Sequence, residues 1–331
     1  MFGAGGQIVK YGFAAGRVSV LETRMVSGAR IRRLIDAENI DEVHRILTET
    51  DYGPELRSAD TVDEVEAALS EHLSRAYTML RESRVPADME SFFRSRYDYI
   101  NLRMLLKSGL GQKMNATYSP LGWLPDESAE SFVETDDFSG MPAPLVAAAR
   151  EAIAKYNTDH RFEDIDIILD RHYFKDILDL AAGLKSKWIV AYTKLLIDLA
   201  NGRIVSRLSR EGVLDDYFIE GGNIGQETWS GLSAGKSIAE GLESFPHGDL
   251  RDQLTVLAGR GFPVADYDLV ADNIAVELLG AAGRFNVGPE QVFAYVAARE
   301  HEVKLLRLII SGHLSGLAPS RIKERVGRIY E

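Results

Sequence analysis

Two pairs of segments in this chain repeat at one common spacing, and this repeat constrains the fold more than any other feature. Residues 97–107 read YDYINLRMLLK, and residues 197–207 read IDLANGRIVSR. The same offset of one hundred aligns VEAALSEHL at 65–73 with IDIILDRHY at 165–173. The residues identical at matching positions are Asp98 and Asp198, Asn101 and Asn201, Arg103 and Arg203, Leu69 and Leu169, and His72 and His172. Because one offset serves two separate segments, we predict successive similar units of about one hundred residues.

Apolar residues recur at helical spacing almost throughout the chain, and strict alternation is scarce. We therefore predict an all-α fold. Residues 299–310 are predicted to form a mostly buried helix that stops at Gly312. A last helix is predicted to begin at Pro319, with an apolar stripe formed by Ile322, Val326, Ile329 and Tyr330.

A third, weaker copy of the repeat lies at 301–310. There, Glu302 and Arg307 keep the spacing of five residues that separates Asp98 from Arg103. Its upstream partner is the apolar segment 269–279.

The repeats predict three similar helical domains, at residues 1–112, 113–215 and 216–331. Linkers are expected near 109–125 and 212–235, where glycine, proline and polar residues concentrate. Like units contact one another through like faces, so three copies either stack openly or close into a ring. The sequence alone is compatible with both arrangements.

Helical geometry separates the polar residues of the repeated motif. Asp98 and Asn101 are three residues apart and share a helix face, whereas Arg103 lies about 140° away from Asp98. Asp and Arg therefore do not pair within their own helix. We expect the recurrent Asp and Asn to hydrogen-bond a neighbouring helix inside each domain, and we expect partner contacts to involve charges that differ among the repeats.

Composition excludes several classes of function. The chain of 331 residues has no cysteine, which rules out disulfides, thiolate nucleophiles and Cys-ligated metals. A net charge of −12 makes nucleic acid an unfavourable partner. No apolar run approaches the roughly 18 residues of a membrane helix, so we expect no membrane span. Residues 1–33 carry six basic residues against one acidic residue, and residues 299–331 carry seven against four. These ends form either two solvated helix faces or one basic patch where they meet.

Catalytic motifs are incomplete. The segment GLSAGKS at 231–237 resembles the end of a phosphate-binding loop, but only three residues separate its glycines and no strand precedes it. His301 and Glu302 begin a zinc-helix motif whose second histidine would be residue 305, which is leucine. The acidic segment EDIDIILD at 163–170 is interpreted as a solvated helix face. We therefore expect no catalytic, cofactor-binding or metal-binding residue, and we expect binding to be the role of this chain.

Several segments together resemble one known family. They are YGFAAGRVSVLETRMV at 11–26, TETDYG at 48–53, the two Asp-x-x-Asn-x-Arg helices, and AYVAAREHEVKLLRLIISGHLSGLAPSRIKERVGRIY at 294–330. The chain resembles the C subunits of prokaryotic V-type, also called A-type, rotary ATPases, the counterparts of the d subunit in the eukaryotic vacuolar enzyme. The last segment is the most specific, with Arg299, Glu300, Glu302, Leu306 and Arg307. His313 departs from the lysine expected in that turn.

The resemblance implies a non-catalytic rotor subunit of the central stalk, shaped as a pseudo-threefold funnel of three helical domains. Such a subunit sits as a socket on the cytoplasmic face of the membrane proteolipid ring and receives the shaft, which is made of the D and F subunits. It implies no cofactor, because ATP is handled by the A and B subunits and ions cross between the ring and the membrane stator. The resemblance applies equally to proton or sodium coupling and to ATP synthesis or hydrolysis. The alternatives are a soluble helical-repeat scaffold of another cytoplasmic complex and an enzyme using the Gly-Lys-Ser segment.

Overall fold

The computed structural model describes residues 4–113, 118–124, 140–207, 214–233, 264–284 and 287–330, together with positions 135, 138, 252, 255 and 256. The described residues form helices, turns and irregular segments without a strand, which confirms the predicted all-α class. The chain divides into two compact units. We call residues 1–89 and 265–331 the terminal unit, and residues 90–264 the middle unit.

The described α-helices are numbered in chain order. They are α1 Ala4–Glu22, α2 Gly28–Ile35, α3 Ile40–Leu47, α4 Gly53–Leu56, α5 Val62–Glu82, α6 Ala87–Gly109, α7 Ala143–Asp159, α8 Phe162–Gly183, α9 Lys187–Arg207, α10 Leu214–Tyr217, α11 Gln226–Ser233, α12 Val264–Gly280, α13 Pro289–Leu314 and α14 Pro319–Arg325. A short 3₁₀ turn at Ala281–Arg284 follows α12.

The terminal unit is built around α13, which packs against α1, α2, α3 and α5. Its buried apolar residues include Val303, Leu306 and Ile309, which join the core formed by the short helices. The first turn of α5 is fixed by a capping box, in which Glu64 N–H donates to the Thr61 hydroxyl and the Glu64 carboxylate accepts from Thr61 N–H. Because α13 and the short helices share one apolar core, the two ends of the chain belong to the same folded unit.

The middle unit is built around a hairpin of α7 and α8. His160 ends α7 in the left-handed conformation, with φ of 54°, so the chain turns back directly into α8. Small residues on α7 let the helices approach closely, and the core is completed by Leu102 and Leu106 of α6. These small residues are Ala148, Ala149 and Ala152.

The helices of the repeat occupy matching stretches of sequence. Helix α5 begins at Val62 and α8 at Phe162, while α6 begins at Ala87 and α9 at Lys187. The prediction of paired helices one hundred residues apart is therefore confirmed. The division into three domains stays a prediction.

The last helix is shorter than predicted, and the stripe through Ile329 and Tyr330 is wrong. Helix α14 ends at Arg325, and the chain beyond it is not helical. Arg328 N–H donates to Asn273 Oδ1 at 2.5 Å, and a Cβ on Gly327 would lie 2.6 Å from the same oxygen. The segment is held in contact with α12, and this tertiary contact overrides the local helical pattern.

Gly312 is also not the helix stop that the pattern predicts. Helix α13 continues to Leu314, and Gly316 supplies the left-handed residue, with φ of 69°. A Cβ on Gly312 would lie 2.9 Å from Ile322. The glycine therefore serves the close packing of α14 on α13.

Candidate functional site

The Asp and Asn of the first repeat hold the backbone that follows their helix. On α6, Asp98 Oδ1 accepts hydrogen bonds from the N–H groups of Trp123 at 2.5 Å and Leu124 at 2.9 Å. Asn101 donates to the carbonyl of Ser119 at 2.9 Å and accepts from its N–H at 2.8 Å. Both polar side chains are buried. We call this arrangement the first clamp.

The second repeat forms the same arrangement on α9. Asp198 accepts from the N–H of Asn223 at 3.0 Å, from its side-chain amide at 2.9 Å, and from the N–H of Ile224 at 3.0 Å. Asn201 donates to the carbonyl of Ile219 at 2.8 Å and accepts from its N–H at 2.9 Å. We call this arrangement the second clamp.

Every backbone partner in the second clamp lies one hundred residues after its counterpart in the first. The sequence predicts that the motif hydrogen-bonds a neighbouring helix. Its partners are instead the non-helical segments 118–124 and 218–224. Each clamp satisfies three backbone N–H groups that no helix supplies with an acceptor.

Two glycines make the clamps possible, and the sequence patterns above do not single them out. A Cβ on Gly122 would lie 2.6 Å from Asp98 Oδ1, and a Cβ on Gly222 would lie 2.2 Å from Asp198 Oδ1. Neither distance is tolerable for carbon, so the carboxylate approaches the backbone only because both residues lack a side chain. A signal was present, since these glycines are also one hundred residues apart.

Burial dominates the ionisation of both clamp carboxylates. It raises the pKa of Asp198 to about 6, against the opposing effect of its hydrogen bonds and of Lys194. Burial likewise raises the pKa of Asp98, opposed by the N–H groups of Leu124 and Trp123 and by Arg94. The nearby cations, Arg94 and Lys194, are again one hundred residues apart. The fold therefore keeps both carboxylates buried, although burial disfavours their ionised form.

In two of its three copies, the arginine of the motif pairs with a carboxylate of another repeat. Arg103 Nε lies 3.0 Å from Asp166 Oδ1, and its Nη2 donates to Asp170 at 2.5 Å. Arg307 on α13 pairs with Glu66 on α5. Glu66 and Asp166 are one hundred residues apart, so both arginines contact the same position of another repeat.

The acidic segment of α8 is only partly the solvated face that was predicted. Asp164 is buried, while Asp166 and Asp170 are partly buried and paired with basic residues of α6. A shallow pocket of about 200 Å³ adjoins them, lined by Glu163, Asp166, Ile167, Asp170, Ile204, Tyr217 and Ile219. Three carboxylates at its wall would repel a phosphate.

Glu302 of the third copy lies in a buried polar cluster. Its Oε1 accepts from the N–H of Val26, and its Oε2 accepts from the Tyr52 hydroxyl and from Arg299 Nη1, each at 2.7 Å. Arg299 also donates to the Tyr295 hydroxyl at 3.2 Å. The cluster pairs its buried charges internally.

The two histidines of the repeat make corresponding contacts. His72 Nε2 lies 2.7 Å from the carbonyl of Asp51, and His172 Nε2 lies 2.7 Å from the Glu151 carboxylate. Each partner precedes its histidine by 21 residues. These contacts fasten α5 and α8 to the chain before them.

The basic residues at the two chain ends belong to the terminal unit, and several are paired. Arg17 contacts Glu82 at 2.9 Å, and Arg30 contacts Glu49 at 3.3 Å. Near the other end, Arg328 contacts Glu277 at 2.7 Å. These pairs reduce the excess of positive charge that the sequence of the ends suggests.

The remaining sequence motifs form no chemical site among the described residues. Lys236 and Ser237 lie outside the residues that the structure describes. His301 Nε2 contacts the carbonyl of Arg328 at 2.8 Å, and Leu305 is buried. No group of three His, Asp or Glu residues in the described part of the chain is arranged to hold a metal. Within that same part, no helix combines the length and apolarity that a membrane crossing requires.

Comparison with known proteins assigns the family. The model of the ATP synthase (C/AC39) subunit family matches residues 14–325. The chain is 24% identical to the C subunit of the V-type sodium ATPase of Enterococcus hirae, over 94% of this chain and 96% of that protein. It is 23% identical to the C subunit of the V-type ATP synthase of Deinococcus radiodurans, over 96% of this chain and 91% of that protein. It is 21% identical to the C subunit of the A-type ATP synthase of Methanocaldococcus jannaschii, over 96% of this chain and 86% of that protein. The chain therefore belongs to the ATP synthase (C/AC39) subunit family.

Proposed function

We propose that this chain is a non-catalytic rotor subunit in the central stalk of a V/A-type ATPase. It acts as a socket that receives the D and F subunits of the shaft and rests on the membrane proteolipid ring. In this role it transmits torque between ATP turnover and ion translocation. It lies at the cytoplasmic face of the membrane, held there peripherally through the complex, in three helical domains arranged as a pseudo-threefold funnel.

The match of residues 14–325 to the family carries the proposal. The covered share of the relatives also supports it, because this chain spans 96% of the E. hirae protein rather than one module of it.

The geometry of the clamps supports a mechanical role. A torque-bearing part must transmit rotation with little internal deformation, and close-packed helices have low compressibility. Loops are usually the most mobile parts of a chain. The clamps add hydrogen bonds that tie two irregular segments to α6 and α9 and so restrict their motion. Their Asp and Asn side chains bond to the backbone of these segments, which suits a rigid scaffold.

Reconstitution of the complex with and without this chain tests the proposal. The soluble sector, including its D and F subunits, is combined with vesicles that contain the proteolipid ring and the membrane stator. Without this chain, we expect ATP hydrolysis to persist and ATP-driven ion uptake into the vesicles to be lost. Adding the chain back restores uptake, and so does the Asp179→Ala variant, whose carboxylate is exposed on α8.

Binding measurements separate this role from that of an unrelated scaffold. The chain is expected to co-sediment with ring-containing vesicles and to bind the shaft proteins, but not to co-sediment with protein-free liposomes. Full ion uptake by complexes shown to lack this chain would reject the rotor proposal.

A further inference from the structure

Residues 23–27 link α1 to α2, and the last long helix of the chain holds them. Val26 is buried, and its N–H donates to Glu302 Oε1 on α13, a contact between residues 276 positions apart. Arg299, one turn earlier on α13, reaches the carbonyl of Leu21 at 3.5 Å. We call residues 23–27 the strap.

The strap lies in register with the two segments held by the clamps. Asp98 accepts from the N–H of Leu124, and Asp198 accepts from that of Ile224. Val26 precedes Leu124 by 98 residues, almost the repeat length, and Glu302 follows Asp198 by 104. In each case a carboxylate late in one repeat binds a backbone N–H early in another repeat. For Asp98 and Asp198 this is the next repeat, and for Glu302 it is the first.

Helix pairing gives the same register independently. Arg103 of α6 contacts Asp166 of α8, and Arg307 of α13 contacts the matching residue, Glu66 of α5. Helix α13 therefore contacts α5 as α6 contacts α8. The chain order places α8 after α6, whereas α5 lies at the opposite end of the chain from α13.

We infer that Glu302 is the third clamp, and that it latches the end of the last repeat onto the strap at the start of the first. The latch joins two segments that are far apart in the sequence. It thereby helps to stabilise the terminal unit, to which both chain ends belong. This role is independent of the proposed place in a rotary complex.

The latch differs from the other two clamps in chemistry. Leu305 stands where Asn101 and Asn201 stand in the other copies, so the Asn contact of those clamps has no counterpart here. Glu302 is one methylene longer than aspartate, and its second oxygen is bound by Tyr52 and Arg299. One carboxylate therefore serves both the strap and the buried ion pair.

The test is hydrogen exchange, measured by mass spectrometry on the full chain carrying Glu302→Asp. The shorter side chain keeps its negative charge next to Arg299, which lies three residues away on the same helix. Its carboxylate no longer reaches the N–H of Val26, which lies on a different segment. We expect amides of the strap and of the start of α2 to exchange about tenfold faster, with residues 219–224 unchanged. The matched control, Asp198→Asn, should reverse this pattern by accelerating residues 219–224 and leaving the strap unchanged.

Two results would overturn the inference. One is an unchanged strap in the folded Glu302→Asp variant. The other is a uniform acceleration through α2, α3 and α5, which would make Glu302 an ordinary support of the core. If Glu302→Asp fails to fold, the wild-type chain provides the test, because Glu302 Oε1 binds the strap as Asp198 binds Ile224. Amides of the strap should then be protected from exchange like those of residues 219–224, and a strap that exchanges as fast as an unstructured loop would overturn the inference.

Discussion

Replacing Asp198 by alanine removes the carboxylate of the second clamp and tests whether the motif is structural. Asp198 is 1% exposed and accepts two backbone N–H groups and one side-chain amide. The N–H of Ile224 is buried, so it is left without an acceptor in the variant. The partly buried Asn223 can turn to water instead.

Two opposing effects set the size of the change. An unsatisfied buried N–H costs about 1–3 kcal/mol. Removing a buried charge recovers part of this loss, because burial already disfavours the ionised carboxylate. We therefore expect Asp198→Ala to lower the free energy of unfolding of the middle unit by about 1–2 kcal/mol at pH 7.

The pKa of Asp198 gives this loss a pH dependence. The pKa of Asp198 is about 6 in the folded state, whereas the ordinary value is 3.8. At pH values between these two, the folded state therefore binds more protons than the unfolded state. The wild-type stability contributed by this group therefore falls as pH rises from 3.8 to 6. The difference between wild type and Asp198→Ala should be about 1 kcal/mol larger at pH 5 than at pH 7.

The tryptophans provide an assay specific to this unit. The chain has three, Trp123, Trp188 and Trp229, all within the middle unit. Urea unfolding followed by tryptophan fluorescence at pH 5 and pH 7 therefore reports the unit that contains the clamp. Asp179→Ala is the matched control, since its carboxylate is 68% exposed, and it should change stability by less than about 0.5 kcal/mol.

An interface role for the motif would give the opposite pattern. If Asp198→Ala leaves the urea transition unchanged at both pH values while binding of the shaft proteins is lost, the structural assignment of the motif is refuted. A loss that is larger at pH 7 than at pH 5 would refute the argument from burial.

The remaining predictions concern the clamp glycines and nucleotide binding. Gly122→Ala and Gly222→Ala should each destabilise the middle unit by about 1–3 kcal/mol, because the new Cβ would overlap the clamp carboxylate. Gly225→Ala, with nothing within 4 Å of its Cβ, should be near neutral in the same urea assay, and equal effects at Gly222 and Gly225 would contradict the clamp geometry. Isothermal titration should detect no ATP binding to the isolated chain and no change with Lys236→Ala, whereas micromolar binding abolished by that substitution would restore the enzyme interpretation.

The amino-acid sequence by itself determined the helical class, the repeat of one hundred residues and the family resemblance. Helices α5, α6, α8 and α9 were predictable because apolar side chains three and four residues apart already mark a helix face. The separation of Asp98 from Arg103 was predictable for the same reason. Each of these properties depends on neighbours within one or two turns.

Only the tertiary structure decided what the repeated polar residues bind. The clamp partners lie 18 to 26 residues from their acceptors, and the strap lies 276 residues from Glu302. A backbone N–H has no sequence signature, since every residue except proline carries one. The early end of α14 and the packing role of Gly312 were hidden for a related reason. The first depends on the contact of the chain after α14 with α12, and the second on the packing of α14 against α13. Such contacts outweigh local helical preference wherever tertiary packing supplies more free energy than the helix pattern.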